Sequence, residues 1–573
     1  MALSRGGLVA LVCFGFTAWL SPAHIVDGDN AEFATLGAVG GVAHPSGYPL
    51  YVLWLRALSW LPGTPAHAGA VATALLGALQ VLVLHAACRA WGARANPATV
   101  AVAIFAAAPV VLRIHSEAEV FALNGLVVAA VLWLAAEHGP LRGGWRAFAL
   151  ALVAGLGLAN HMTCALVAPV GLLGVVRGVR ETERRALAIA GTVGGLVAGL
   201  SPYLYVFVAP PEASWGSVAS LGDLIGVITR TDYGGPGAFA AHGAEVPITD
   251  SLAAFAGMLG RTWLWILPIA AIAVLVLRIA RPRDGEPRTG WAMLGATWLI
   301  AGPILITRFN VDPEGLGLYV CQRFYVLPAL LLVIPIAAAI DGALEKLGGR
   351  AESSVASGVL AVIVYVGLAA SSLPYLSRVH SPAVQCGVVN LINSLPQNAV
   401  VIGIADDHLF GIRYAQLALG IRPDVTYVQW PMVRLPWYRE RLAARGVVVK
   451  PGPRASVDLA DALIASGREV FLDNTIRVGN FAGRATVPHG IVHRVLGADD
   501  KVPSLREVVE DNKRIYASFD LSYPRPGIDD EWATEVHRRY ANTWFLLERA
   551  LLSTGDVANA QEAADIARQV GPQ

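Results

Sequence analysis

Apolar stretches long enough to cross a bilayer recur through residues 1–377, and nothing else in this 573-residue chain limits its fold so strongly. A hydrocarbon core about 30 Å thick takes about 20 apolar residues per helix. Backbone polar groups find no water there, so helices that satisfy them internally are the expected form. Spans are predicted near 7–25, 68–88, 98–113, 120–137, 147–160, 162–176, 186–208, 262–280, 290–307, 323–341 and 355–376, about eleven transmembrane helices. The first is read as a retained span, because further spans follow at once and no small-x-small site precedes His24. Charge divides the chain at the same place: Asp, Glu, Lys and Arg number 41 in residues 1–377 and 44 in the much shorter 378–573. The second density approaches the roughly 25% of soluble domains. A net charge of +1 supplies no basic field for nucleic acid. Five dispersed cysteines without a CxxC pair argue against a disulfide framework or a thiolate zinc site.

Basic residues orient the bundle. Fifteen lie in loops on the side of the N-terminus, from Arg5 to Lys346 and Arg350, against six on the other side: Arg56, Arg113, Arg230, Arg261, Arg308 and Arg323. The positive-inside rule puts the N-terminus in the cytoplasm of an inner or plasma membrane protein, and an odd number of spans puts residues 378–573 outside, in the periplasm. The organisation expected is a polytopic α-helical membrane domain over 1–377, a smaller external α/β domain over 378–525, and a C-terminal helical hairpin over 526–573.

Short β-rich runs at Ala399–Ile404, Val425–Gln429, Val447–Val449 and Glu469–Leu472 alternate with helical stretches, the pattern of a small parallel α/β unit. No GxGxxG follows the first strand, so a dinucleotide site is unsupported. Asp406 and Asp407 stand at the C-terminal end of that strand, where such sheets bind ligands, or else in an ordinary solvated loop. The tail reads as two helices broken at Gly555-Asp556, like one tetratricopeptide unit, which cannot form a solenoid alone and is expected to pack on the α/β unit.

Candidate chemistry gathers in the loops opposite the N-terminus. The first reads D-G-D-N-A-E-F, then V-A-H-P-S-G-Y-P-L-Y. Asp29 and Glu32 are three apart, so one helical turn would bring them to one face, and a partly apolar boundary can raise a carboxyl pKa toward that of a working base. His44 could donate to an anion or to one of these acids; a plain polar exit loop is the alternative. Glu119, in S-E-A-E-V-F-A-L-N, is the better inward candidate of the pair Glu117 and Glu119. Asn160 and His161 either bond across helices or line the same cavity. Arg323, in C-Q-R-F-Y, either snorkels to lipid headgroups or forks onto a phosphate, and Arg230 and Tyr233 in R-T-D-Y-G-G are second candidates for that task. No metal-ligand spacing appears in the sequence.

Together, D-G-D-N-A-E-F, V-A-H-P-S-G-Y-P-L-Y, S-E-A-E-V-F-A-L-N, G-L-A-N-H-M-T and Q-R-F-Y resemble the motifs of GT-C superfamily membrane glycosyltransferases. They are most similar to a bacterial membrane family whose animal relative is a protein O-mannosyltransferase. The chain departs from that family's pattern at Asn30-Ala31, usually Ser-Gly, and at Ser46, usually a second proline. The resemblance implies an inverting transfer of a sugar, mannose being the expectation, from a polyprenyl-phosphate donor to a protein or glycan hydroxyl at the outer membrane face. Asp29 and Glu32 would be catalytic. His44, Arg323, Arg230 and Tyr233 would hold donor phosphate and sugar, while Glu119, Asn160 and His161 would line the cavity. No cofactor is called for; Asp29, Glu32 and Glu119 are the residues that would bind a divalent metal if one were used. Two other readings compete: a transporter or flippase of a lipid-linked or small polar substrate, and a non-catalytic scaffold. Gathering of the polar residues at one face, without an inverted repeat, favours the enzyme over the transporter.

Overall fold

The computed structural model describes residues 4–235, 245–283, 287–346, 354–450, 452, 455–474, 476, 484–529 and 531–573. Of the basic residues that orient the bundle, Arg350 lies outside them, as do residues 236–244 of the loop carrying Arg230.

Helix α1 (Arg5–Leu20) leads into two short helices, α2 (Gly28–Val39) and α3 (Pro49–Ala57), joined by an irregular segment through His44 and Pro45. Asp27 starts α2 by accepting from the Asn30 N–H at 2.7 Å, and Pro49 occupies the first turn of α3, where its missing N–H costs nothing. There follow α4 (Pro65–Ala90), α5 (Ala95–Ala106), α6 (Pro109–Ser116), α7 (Phe121–Ala135), α8 (Gly143–Leu158), α9 (Ala168–Arg180) and α10 (Arg185–Gly199). Next come α11 (Leu221–Ile228), α12 (Ile248–Trp263), α13 (Ile266–Ala280), α14 (Arg288–Leu299), α15 (Gly315–Lys346), α16 (Ser354–Ser371) and α17 (Leu373–Val379). The expected spans overlap these apolar helices, that near 98–113 being divided between α5 and α6 and that near 355–376 between α16 and α17. Four helical stretches are long and apolar enough to cross a membrane alone, and three bent pairs raise this to as many as seven among the described residues. The chain is an integral membrane protein. The bend between α5 and α6, 72°, sits where Pro109 opens a new helix.

The remaining residues form α18 (Ala383–Asn393), β1 (Val400–Gly403), α19 (Asp406–Arg413), β2 (Thr426–Gln429), α20 (Pro436–Ala444), α21 (Ala455–Ala465), β3 (Val470–Asp473), β4 (Thr486–His489), β5 (Val492–Val495), α22 (Leu505–Ala517), α23 (Glu531–Ser553) and α24 (Val557–Val570). The sheet runs β2-β1-β3-β5-β4, parallel across its first three strands and antiparallel at β5 and β4. It is therefore mixed rather than parallel. Val447–Val449 buries Val447 and Val449 and exposes Val448, but follows a turn off the end of α20 and pairs with no strand among the described residues. The hairpin β4–β5 escaped notice because each strand is only four residues long and one contains Pro488. Helix α23 buries Val536, Tyr540 and Trp544 in the core of this unit, and α24 folds back on it after Gly555.

Two large apolar cores result, beside a small cluster around Tyr203, and α2 belongs to both large ones. Phe33 and Leu36 enter the membrane core, whereas Ala31 and Ala34 enter the core of the α/β unit. At Gly28 the backbones nearly touch: a Cβ there would lie 3.3 Å from the Asp406 carbonyl carbon and the Asp407 nitrogen. Glycine is what lets α19 seat against the start of α2.

Candidate functional site

The first turn of α2, the α6–α7 connection, the start of α15 and the start of α19 converge on a cavity of about 530 Å³. Asp29, His44, Glu119, His161, Arg230, Tyr233 and Arg323 line it. Residues distant in sequence thus meet in one place. The starts of α2 and α19 and the third turn of α15 put polar groups there, while apolar residues of α2 and α15 stay in the cores.

Arg323 is the centre of charge. One of its Nη atoms donates to Asp29 Oδ2 at 2.6 Å and to Glu119 Oε2 at 3.0 Å, and its side chain is only 13% exposed. Buried carboxylates of this kind depend on their cation, and removing one partner of such a group costs about 3–5 kcal/mol. Burial opposes the charge on Asp29, but Arg323, His44 and Arg230 outweigh it and hold the carboxyl below its ordinary value. The sequence suggested a raised value for Asp29; the shared guanidinium is why the shift runs the other way. Burial instead pushes Glu119 up to about 7 against the pull of Arg323. Asp27, behind the wall, is pushed up to about 6 by burial and by Glu117 and Asp29, and accepts from the Tyr319 hydroxyl at 3.0 Å.

Glu32 does not face the cavity. It is buried and takes the backbone N–H of His44 at 2.8 Å and the His44 Nδ1 at 2.5 Å. The Tyr48 hydroxyl meets the other ring nitrogen of His44 at 3.1 Å. Although α2 is a helix, Asp29 and Glu32 part company, since the bend at His44 draws Glu32 backward. Burial by itself would lower the pKa of His44, but Glu32 and Asp29 outweigh it and raise the imidazole above its ordinary value.

Asn160 is a second correction. It is fully buried off the cavity wall, donating to the Val120 carbonyl at 3.3 Å, so the helix-bridging alternative describes it. His161 stacks on Tyr48 at 5.6 Å and bonds Thr163 Oγ1 at 2.7 Å. The Arg230 guanidinium lies 5.0 Å over the Tyr233 ring, which stacks in turn on Trp215 at 5.6 Å and 16°. Of the neighbouring acids, Glu117 is turned away to His380 at 3.3 Å. Among the described residues, no group of three or more His, Cys, Asp and Glu is arranged to hold a metal ion.

Sequence reasoning missed several lining residues. Tyr48 and Ser46 lie in a motif already singled out, and Arg308 is among the six basic residues opposite the N-terminus. Asp406 and Phe410 come from the α/β unit, and no local pattern announces that this unit reaches the cavity.

Fold and cavity define the class: an integral membrane protein with the GT-C fold. The fold matches that of ArnT from Cupriavidus metallidurans, solved with bound undecaprenyl phosphate, at a TM-score of 0.53 and 14% identity over 87% of this chain and 98% of that one. Residues 29–185 match the family described as the Protein O-mannosyl-transferase TMEM260 N-terminal domain. Protein O-mannosyl-transferase TMEM260 of Mus musculus is 25% identical over 465 residues, 76% of this chain and 63% of the mouse protein. Its counterpart in Dictyostelium discoideum is 21% identical over 533 residues, 82% of this chain and 64% of that protein. The chain therefore spans under two thirds of the length of these relatives. The chain is thus similar in sequence to protein O-mannosyl-transferases and in fold to ArnT, in agreement with the resemblance read from its motifs.

Proposed function

We propose that this chain is an inverting glycosyltransferase that moves mannose from a polyprenyl-phosphate carrier to a protein hydroxyl at the outer face of the membrane. The observation that carries the reading is the Asp29–Arg323–Glu119 bridge on the wall of a cavity that also holds His44 and Arg230. Such a transfer forms a bond from the acceptor oxygen to the anomeric carbon and breaks the bond from that carbon to the carrier phosphate, through an oxocarbenium-like transition state. The acceptor proton goes to a base, and the departing phosphate keeps the electron pair. Asp29 is the base: it is ionised, and its side chain remains 31% exposed toward the cavity. Arg323 and Arg230 hold the phosphate as charge develops on it, the planar guanidinium suiting its oxygens. A phosphate that engages Arg323 also loosens its hold on Asp29, so donor binding makes Asp29 a stronger base. Glu32 and Tyr48 fix His44 in place beside them.

In the same reading, residues 1–377 form the catalytic membrane domain with eleven spans and a cytoplasmic N-terminus, and residues 378–525 and 526–573 form the external parts. Support comes from the basic-residue asymmetry between alternate loops, from the mannosyl-transferase relatives and from the polyprenyl phosphate bound by ArnT. The test is incubation of the purified full chain with labelled polyprenyl-phosphate mannose and hydroxyl-bearing peptides, wild type beside Asp29→Asn. Transfer by the wild type and its loss in the variant are expected; no transfer with any acceptor, or an unimpaired variant, rejects the reading.

A further inference from the structure

The membrane helices do not complete the cavity by themselves. Asp406 and Phe410, the first residue of α19 and one a full turn later, stand in its wall. Asp406 is exposed and lines the cavity. Gln429 donates its amide to Asp406 Oδ1 at 2.9 Å, and Oδ2 has no hydrogen-bond partner among the described residues. An ionised carboxylate only accepts, so its remaining lone pairs suit a donor such as a hydroxyl. It is ill suited to a phosphate, which the Arg323 and Arg230 side of the same cavity takes. Beside Asp406 stands an aromatic surface: Phe410 lies 6.2 Å from the His44 ring and 6.3 Å from Trp215, and Tyr233 stacks on Trp215. Flat apolar faces next to one oriented acceptor are the means by which a pocket grips a polyhydroxylated ring.

Helix α19 is held rigidly enough to present such a group. Arg539 of α23 forks onto Asp407 at 2.6 and 3.2 Å and reaches His408 Nε2 at 2.9 Å, while His408 Nδ1 meets Asp473 at 2.5 Å. The next residue toward the N-terminus is Asp406. Close seating on Gly28 sets the other side. Sites whose supporting residues are themselves fixed keep the geometry that binding requires.

We infer that Asp406, supplied by the C-terminal unit, binds a hydroxyl of the reacting sugar or of the acceptor, so that this unit is part of the substrate site rather than an appendage. Burial, together with Asp29 nearby, pushes its carboxyl up to about 6, which keeps it mostly ionised at neutral pH. The inference rests on the proposed function.

The test uses the full-length protein in detergent or nanodiscs, with Asp406→Asn, Asp406→Ala and Asp406→Glu. Two probes, polyprenyl-phosphate mannose and bare polyprenyl phosphate, are titrated by intrinsic fluorescence, and transfer kinetics are measured against donor and acceptor separately. Asp406→Asn and Asp406→Ala are expected to lower kcat/KM about 10- to 100-fold at unchanged Tm, with partial recovery in Asp406→Glu. If the hydroxyl belongs to the sugar, the donor KM rises and mannosylated carrier binds more weakly while bare carrier does not. If it belongs to the acceptor, only the acceptor KM rises. An active wild type with Asp406 variants within twofold in every constant overturns this inference alone. A wild type that neither binds nor transfers overturns the proposed function, and this inference with it.

Discussion

Two buried histidine–carboxylate pairs in this molecule have the same 2.5 Å separation and different consequences: His44 with Glu32 at the cavity, and His408 with Asp473 in the α/β unit. His408 also accepts from Arg539, a permanent donor, so its Nδ1–H is committed to Asp473, and the Tyr427 hydroxyl adds a bond to the same carboxylate at 3.0 Å. All of its valences are spent on holding α19 against β3 and α23. His44 instead meets a hydroxyl at Nε2, which can donate or accept, and its ring borders open space. It can gain or lose a proton without stranding a partner. Identical local chemistry is scaffolding where it is sealed and a working part where it meets a cavity.

The comparison can be broken in a graded way. Asp29→Asn should cost the most, about 10²–10⁴ in transfer rate at unchanged expression, as expected for a lost base. Arg323→Gln should lose about 10²–10³ in kcat and also lower Tm, because it leaves two carboxylates without their cation. Asp473→Asn should behave in the opposite sense, destabilising the fold by about 3–5 kcal/mol in thermal or denaturant unfolding, while the pH–rate profile of the surviving folded protein stays as in the wild type. A shifted profile there would erase the distinction between the pairs.

Glu32→Gln should act mainly through pH. The imidazole of His44 has a folded-state pKa above its ordinary 6.5, so its pairing with Glu32 stabilises the protein fully below about 6.5 and is lost as pH rises through the folded value. If protonated His44 assists the leaving phosphate, activity falls over the same range. The variant should move that fall to lower pH by about one unit, read from kcat/KM between pH 5 and 9; an unmoved profile would count against a proton on His44. Smallest of all, Tyr48→Phe removes one hydrogen bond to His44, worth about 0.5–1.5 kcal/mol or about 2- to 10-fold in rate.

The sequence made the membrane helices legible because continuous apolar runs admit few alternatives. It also made most of the cavity wall legible: Asp29, His44, Glu119, His161, Arg230, Tyr233 and Arg323 are all polar groups at the mouths of apolar segments, where a charge needs a reason. Spacing could not separate Asp29 from Glu32, since their divergence depends on where the chain turns twelve residues after Glu32, at His44. Nor could it raise Asn160 from ambiguity, because a buried amide bonded to Val120 and one facing a cavity have the same local sequence. Asp406 was noticed only as a residue at the end of a strand. Its place in the wall depends on contacts across nearly 380 residues, which no local pattern encodes.

The close approach at Gly28 also sets an order of events during synthesis. Chains emerge from the N-terminus, and early segments settle first. Here the helix that carries Asp29 leaves the ribosome early, yet one of its flanks waits for residues beyond 380 to provide its cover. Until they arrive, Ala31 and Ala34 lack most of their apolar cluster, and nothing presses on the glycine. A truncated product would lack Asp406 and Phe410 in the wall of this cavity.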